Sequence, residues 1–509
     1  MLPAVTATQI QQGLKDFLTT NFSISSPYFN ELLEEFIRNG NAFKGPYLSL
    51  GLPFAKGTRG TDCFPELRLN YPPYLHQEQA FERLSGSDPV STLVATGTGS
   101  GKTECFLYPV LDYCRQHAHK RGIKAILIYP MNALATDQAR RIAEFIHATP
   151  SLNGLVRAGL YVGQREAHPK KVMGEHHIIT DKDVIRTSPP DILLTNYKML
   201  DYMLVRHQDR NLWQFNELET LKYLVVDELH TFDGAQGTDL ACLVRRLKAR
   251  LNTPANGLCC VGTSATLGSD AGIKHLLQYA EDVFGEPFNE TTIIREHRVS
   301  AVEFLGDGVI LNAMPPLPSD LELLNPENYL EQDSYLATQY GLWFDSDSIK
   351  NGVNAEQIQA IQNNKFRVRL GDELKEHLFF QNLVREIKGG IKDFSELLEI
   401  MRPFFRGIAG ATEEYRSLVL LSLLSLISHA RRTITIGNDG QLKDVILPFL
   451  NVRMQFWIRE LARMVVSVDA KDTTTEKQPV LRFSTDLPEE SPTQYLPLVH
   501  CRECGASGW

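Results

Sequence analysis

Two short segments carry residues whose types and spacing suit phosphate chemistry. Residues 95–103 read Ala-Thr-Gly-Thr-Gly-Ser-Gly-Lys-Thr, directly after the apolar run Thr92-Leu93-Val94. A glycine-rich turn between a strand and a helix points successive backbone N–H groups outward, where they cradle phosphate oxygens. Thr98, Gly99, Ser100, Gly101, Lys102 and Thr103 form the expected ATP-binding set, with Lys102 reaching the β- and γ-phosphates and the Thr103 hydroxyl on Mg²⁺. The usual loop has glycine where Thr96 stands, and Gly97 and Gly99 keep this variant pliable. Asp227-Glu228-Leu229-His230 follows a second apolar run, Tyr223-Leu224-Val225-Val226. Asp227 is placed to hold Mg²⁺ and Glu228 to polarise an attacking water, so Lys102, Asp227 and Glu228 are the candidate catalytic residues. The bland alternative, a glycine-rich turn that binds no nucleotide, leaves the acidic strand end without a purpose.

Four more segments place polar residues where elements change. His76-Gln77-Glu78-Gln79-Ala80 opens a helix ahead of the loop, and a glutamine amide there has the paired donor and acceptor that an adenine edge needs. An ordinary solvated amide is the other reading, more so for Gln79 than for Gln77. Asn132 lies in Pro-Met-Asn-Ala-Leu-Ala-Thr-Asp-Gln at 130–138, Thr195 and Asn196 in Thr-Asn-Tyr-Lys-Met-Leu at 195–200, and Ser264 and Thr266 in Ser-Ala-Thr. Asn and Thr at strand–helix turns are also favoured helix caps. Capping and phosphate contact are compatible at a helix start.

The elements that must position these residues follow from the pattern. Apolar runs at 92–95, 125–129, 160–162, 192–195, 223–226 and 258–261 read as strands, several separated by helical periodicity. Near-continuous apolar strands alternating with helices predict an α/β fold with a doubly wound parallel sheet. Ligands of such sheets gather at the strands' carboxyl ends, which is where each motif begins. Residues 1–70 are expected to form a separate accessory module, with helices over 8–18 and from Ser26-Pro27 and a short strand at 47–50. The ATP-binding domain is expected over 71–275, a mostly helical insert or linker over 276–480, and a knuckle-like segment over 481–509. Within that insert, 300–350 reads as irregular, and 355–435 and 450–468 as mostly helical.

Composition narrows the class. At 509 residues the chain exceeds one core. A net charge of −9 leaves no global basic footprint, so any nucleic-acid site must be a local groove. No basic segment followed by an apolar core marks the N-terminus, and the most apolar stretch, 417–430, is short and serine-laced; no membrane partner is expected. Eight scattered cysteines suit reduced thiols in a cytoplasmic protein better than a disulfide framework.

The motif order HQEQA, TGSGKT, PMNALATDQ, TNYKML, DELH and SAT resembles the first RecA-like domain of a superfamily 2 DExH-box helicase. Within it, TNYKMLDYML and DELHTFDGAQGTDLACLVRRL resemble the large bacterial DUF1998-associated helicases. The start, TATQIQQGLKDFL with GPYLSLGLPF, is similar to the long Druantia-type helicases of antiphage defence. This resemblance implies ATP and Mg²⁺ as cofactors and Gln77 on adenine. His230, Ser264 and Thr266 would couple nucleotide state to motion, and Asn132, Thr195 and Asn196 would lie on a strand backbone. It further implies a nucleic-acid partner, DNA favoured over RNA, and a possible defence-system protein partner. Such a motor needs a second RecA-like domain bearing arginines. None is legible over 271–509, where His429-Ala430-Arg431-Arg432 reads as a helix end with cations at its dipole. Cys501 and Cys504 read either as half of a zinc site or as two free thiols. The chain therefore reads as the front portion of a longer helicase. An ATP-switched module recruiting a defence partner without translocation is the rival reading, and a metabolic kinase leaves the Ser-Ala-Thr and amide-rich turns unexplained.

Overall fold

The computed structural model describes residues 3–22, 25, 29, 32–38, 43–69, 71–97, 99–163, 167–254, 256–265, 270–306, 317–345, 352–387, 389–405, 412–438, 441–460, 463–468, 479–488, 493–501 and 503–509. Thr98 and Thr266 lie outside these residues. The chain divides into two compact units, one of 54–298 with 436–442, the other of 1–53, 299–435 and 443–509.

The first unit is built on seven strands: β1 (Thr92–Ala95), β2 (Ala125–Ile128), β3 (Ala158–Tyr161), β4 (Ile192–Thr195), β5 (Tyr223–Val226), β6 (Cys259–Ser264) and β7 (Ile293–Arg295). They lie in the order β3-β4-β2-β5-β6-β1-β7, every neighbouring pair parallel. Every residue of β1 through β6 is buried, which is why the apolar runs are continuous instead of alternating. Successive side chains still point to opposite faces. Val94, Leu127 and Leu194 enter one core, while Leu93, Ile126 and Leu193 enter the other. Flanking helices include α1 (Leu75–Leu84), α2 (Lys102–Gln116), α3 (Asn132–Ala148), α4 (Tyr197–Val205) and α5 (Gly234–Arg250). This is the doubly wound parallel sheet expected from the pattern. Strand β7 was not legible: it is three residues long, and Arg295 ends it exposed.

The second unit has its own apolar core, centred on the buried helix Glu413–His429, with Val419, Leu420, Leu423, Leu424 and Ile427 fully enclosed. Helix Pro3–Asn21 and helix Leu32–Arg38 belong to it. Strand Phe43–Gly51 pairs antiparallel with both Asn451–Ile458 and Ile391–Asp393. Residues 1–53 are therefore packed into a larger unit with the distal chain, not set apart at residue 70. The expectation of helix over 450–468 is corrected, since 451–458 and 464–468 are strands. Val452, Met454, Phe456 and Ile458 alternate with polar residues over most of that run, and a period of two residues fits a half-buried strand. The irregular reading of 300–350 is corrected in part by helix Gln332–Phe344. Tyr335, Leu336, Thr338, Gln339, Gly341 and Trp343 are all buried there, so the helix is enclosed on most sides and shows no single apolar stripe. Among the described residues no helix is long and apolar enough to cross a membrane.

Candidate active site

The carboxyl ends of β1, β5 and β6 meet at the phosphate loop. Gly99 and Gly101 have φ of 80° and 78°, a left-handed backbone that glycine adopts at little cost. A Cβ on Gly101 would also stand 2.3 Å from Gln77 Nε2, so the position is closed to larger residues on two counts. Thr96, the departure from the usual glycine, is fully buried with its Oγ1 2.7 Å from Ser100 Oγ. The two hydroxyls staple the loop's first turn internally. His76 Nε2 donates to Ser100 O at 2.9 Å, and burial lowers the imidazole pKa, which favours its neutral form.

Gln77 is almost wholly enclosed. Its Oε1 accepts from Tyr74 N at 2.9 Å, capping α1, and its Nε2 donates to Gly101 O at 3.2 Å. The amide thus joins the helix start to the loop. Gln79 lies elsewhere, with its Oε1 3.1 Å from His297 Nε2.

At the acidic end, Lys102 Nζ is 2.8 Å from Glu228 Oε1. Asp227 is buried, and burial raises its pKa against the opposing Thr263 hydrogen bond. Thr263 was missed in the sequence. Its hydroxyl donates to Asp227 Oδ1 at 2.5 Å and accepts the Glu228 backbone N–H at 3.0 Å. Parallel pairing of β5 with β6 in register Val226↔Gly262 brings the next residues, Asp227 and Thr263, level. The only available signal was a hydroxyl residue inside an apolar strand. Glu228 has φ of 50°, left-handed for a residue with a Cβ, a strain that surrounding structure must hold. His230 Nδ1 stands 3.1 Å from Ser264 Oγ and 3.4 Å from Glu228 Oε2. One histidine therefore touches both the acidic motif and the end of β6.

A second cluster occupies the ends of β2 and β4. Asn196 Oδ1 accepts from Met199 N at 2.8 Å, capping α4, and Asn196 Nδ2 donates to Asn132 Oδ1 at 2.7 Å. Thr195 is fully buried and donates to Tyr161 O at 2.7 Å, so it braces the strand end and does not face solvent. Lys198 is exposed beside them, whereas Lys171, also exposed, shares a pocket with Ile146, His147, Val156 and Arg157 near the start of β3.

In the second unit, Cys501 and Cys504 are exposed free thiols on a hairpin that pairs His500 with Ser507. Backbone N–H groups of Cys504 and Glu503 hold the Cys501 thiol pKa below the ordinary value. Among the described residues no group of three or more metal-ligating side chains is assembled.

A glycine loop after β1 with its lysine at the start of α2, an acidic pair after β5 and the Thr263 and Ser264 hydroxyls on β6 meet at one edge of a parallel α/β sheet. Residues 74–272 match the DEAD/DEAH box helicase family model. The chain is 30% identical to the Druantia protein DruE of Escherichia coli, over 47% of this chain and 18% of that one. It is 29% identical to the uncharacterized ATP-dependent helicase YprA of Bacillus subtilis, over 46% of this chain and 31% of that one. Among solved structures, the DUF1998 helicase MrfA bound to DNA and AMPPNP is similar at 22% identity, covering 52% of this chain and 33% of that chain, with a TM-score of 0.38. The chain spans less than a third of the length of the two curated relatives named.

Proposed function

We propose that this chain carries the ATP-hydrolysing motor domain of a nucleic-acid helicase or translocase, acting on DNA in preference to RNA, in antiphage defence. The observation that carries the reading is the single hydroxyl of Thr263 holding both Asp227 and Glu228 opposite Lys102. Asp227 and Thr103 would hold Mg²⁺. Their oxygen donors suit a hard cation, and a buried carboxylate with a raised pKa gains most from one. When bound, the ion neutralises charge on the transferring phosphate. Lys102 binds the phosphates, Glu228 orients and polarises the water, and His230 reports the site's state to Ser264.

Asn132 and Asn196 are proposed to contact a strand backbone, with Thr195 acting behind them as a brace. The defence role is supported by the likeness to the Druantia protein, and the DNA preference by the motif resemblance. A defence-system protein partner belongs to the same proposal. The Cys501/Cys504 hairpin would supply two ligands of a structural zinc site, which needs four. ATP turnover measured with and without single-stranded DNA and RNA tests the reading. Strand-stimulated turnover supports it, whereas nucleotide-dependent partner binding with no turnover would favour a switch.

A further inference from the structure

Strand β7 lies parallel beside β1 in the register Ala95↔Arg295. The residues that follow each strand are therefore level, which sets Glu296 beside the entry to the phosphate loop. Glu296 Oε2 accepts the Gly97 N–H at 2.8 Å, and its Oε1 accepts Arg298 Nε at 2.8 Å. Burial opposes the charge on Glu296, yet Arg298 and the Gly97 N–H hold its pKa below the ordinary value. The Arg298 guanidinium stacks 4.2 Å from the Phe54 ring centroid, and that ring lies 5.5 Å from His76. His76 in turn grips the loop at Ser100 O. One cluster thus holds the loop at two points, Gly97 and Ser100. Backbone bonds fix the cluster itself, with Ala55 N donating to His297 O at 2.8 Å and Leu75 N to Ala55 O at 2.9 Å.

We propose that Glu296 is a positioning residue for ATP, clamping the entry of the phosphate loop through Gly97 and held in place by Arg298. The proposal rests on the ATP-binding reading above. An unclamped loop must be ordered by the nucleotide itself, and that ordering is paid from binding energy.

The test is Mg·ATP titration of the 509-residue chain and its variants, with thermal midpoints recorded alongside. Glu296→Ala is expected to weaken ATP binding roughly five- to tenfold, less than one charge-assisted hydrogen bond is worth, because only the share that orders the loop appears in binding. Glu296→Gln keeps an oxygen acceptor for Gly97 but loses the charge and the oxygen that accepts Arg298 Nε, so it should bind ATP better than the alanine variant and less well than wild type. Glu296→Asp keeps the charge and shortens the reach, so it should also weaken binding, and it stands in if the alanine variant does not fold. Wild-type affinity in the alanine or aspartate variant overturns the clamp while leaving ATP binding intact. A glutamine variant as weak as alanine overturns it too, because the acceptor at Gly97 would then not matter. No ATP binding by the wild-type chain would bring down the underlying reading, and the clamp with it.

Discussion

Lys102 Nζ and Glu228 Oε1 form a 2.8 Å ion pair between the phosphate loop and the acidic motif. Each neutralises the other, and an incoming phosphate must compete with Glu228 for the lysine. Glu228→Gln weakens that competition and removes the carboxylate that polarises water. The variant should bind ATP at least as tightly as wild type and lose turnover by about a hundredfold or more. Titration and steady-state turnover on the same preparation check both halves.

Thr263 separates positioning from binding. Thr263→Val keeps the shape but leaves Asp227 Oδ1 without its donor and the Glu228 N–H without its acceptor. The cost is about 1–3 kcal/mol of stability for buried groups left unpaired. Turnover should fall by roughly tenfold while ATP affinity changes little, since neither group holds the base or the sugar. A purely structural Thr263 would lower stability with turnover per folded molecule unchanged.

Asp227 makes a pH prediction. Burial raises its pKa in the folded chain, so ionising it costs stability. Its favourable contribution is full below the ordinary carboxylate value and is lost as pH rises through the folded value. Asp227→Asn should therefore raise the thermal midpoint by a few degrees near neutral pH and give no gain in acid. The same variant should lose Mg²⁺-dependent turnover. Thermal melts across the carboxylate range read the crossover.

Much of this site was legible because its chemistry is local in sequence. The loop glycines, Lys102 and the Asp227-Glu228 pair each lie within a few residues of a continuous apolar strand. Thr263 and Glu296 were not legible, because parallel pairing sets them against Asp227 and Gly97 from far along the chain. Their partners depend on strand order, which periodicity does not specify. The strand at 451–458 differs: the alternation of Val452, Met454, Phe456 and Ile458 was a local signal for a strand, and only its pairing with Phe43–Gly51, some four hundred residues earlier, needed the fold. Thr195 shows the opposite error. Its place at a strand end was read correctly, but only the fold reveals that its hydroxyl turns inward to Tyr161.

Asn196 joins a helix cap to a neighbouring strand end. Asn196→Ala removes the α4 cap, worth about 1 kcal/mol, and frees Asn132. Affinity for single-stranded DNA should drop severalfold, and Lys198→Glu should flatten the salt dependence by about one released counterion. Fluorescence anisotropy across a salt series reads both. If neither change moves affinity, the strand does not cross this edge.

The most direct test is ATP binding by wild type and Lys102→Ala, by calorimetric titration with Mg²⁺ present. The account predicts saturable one-site binding by wild type and a loss of roughly ten- to a hundredfold in the variant, the worth of a charge-assisted contact to phosphate. Equal affinity in the two proteins would contradict it, because the loop at 95–103 would then not be where the phosphates lie.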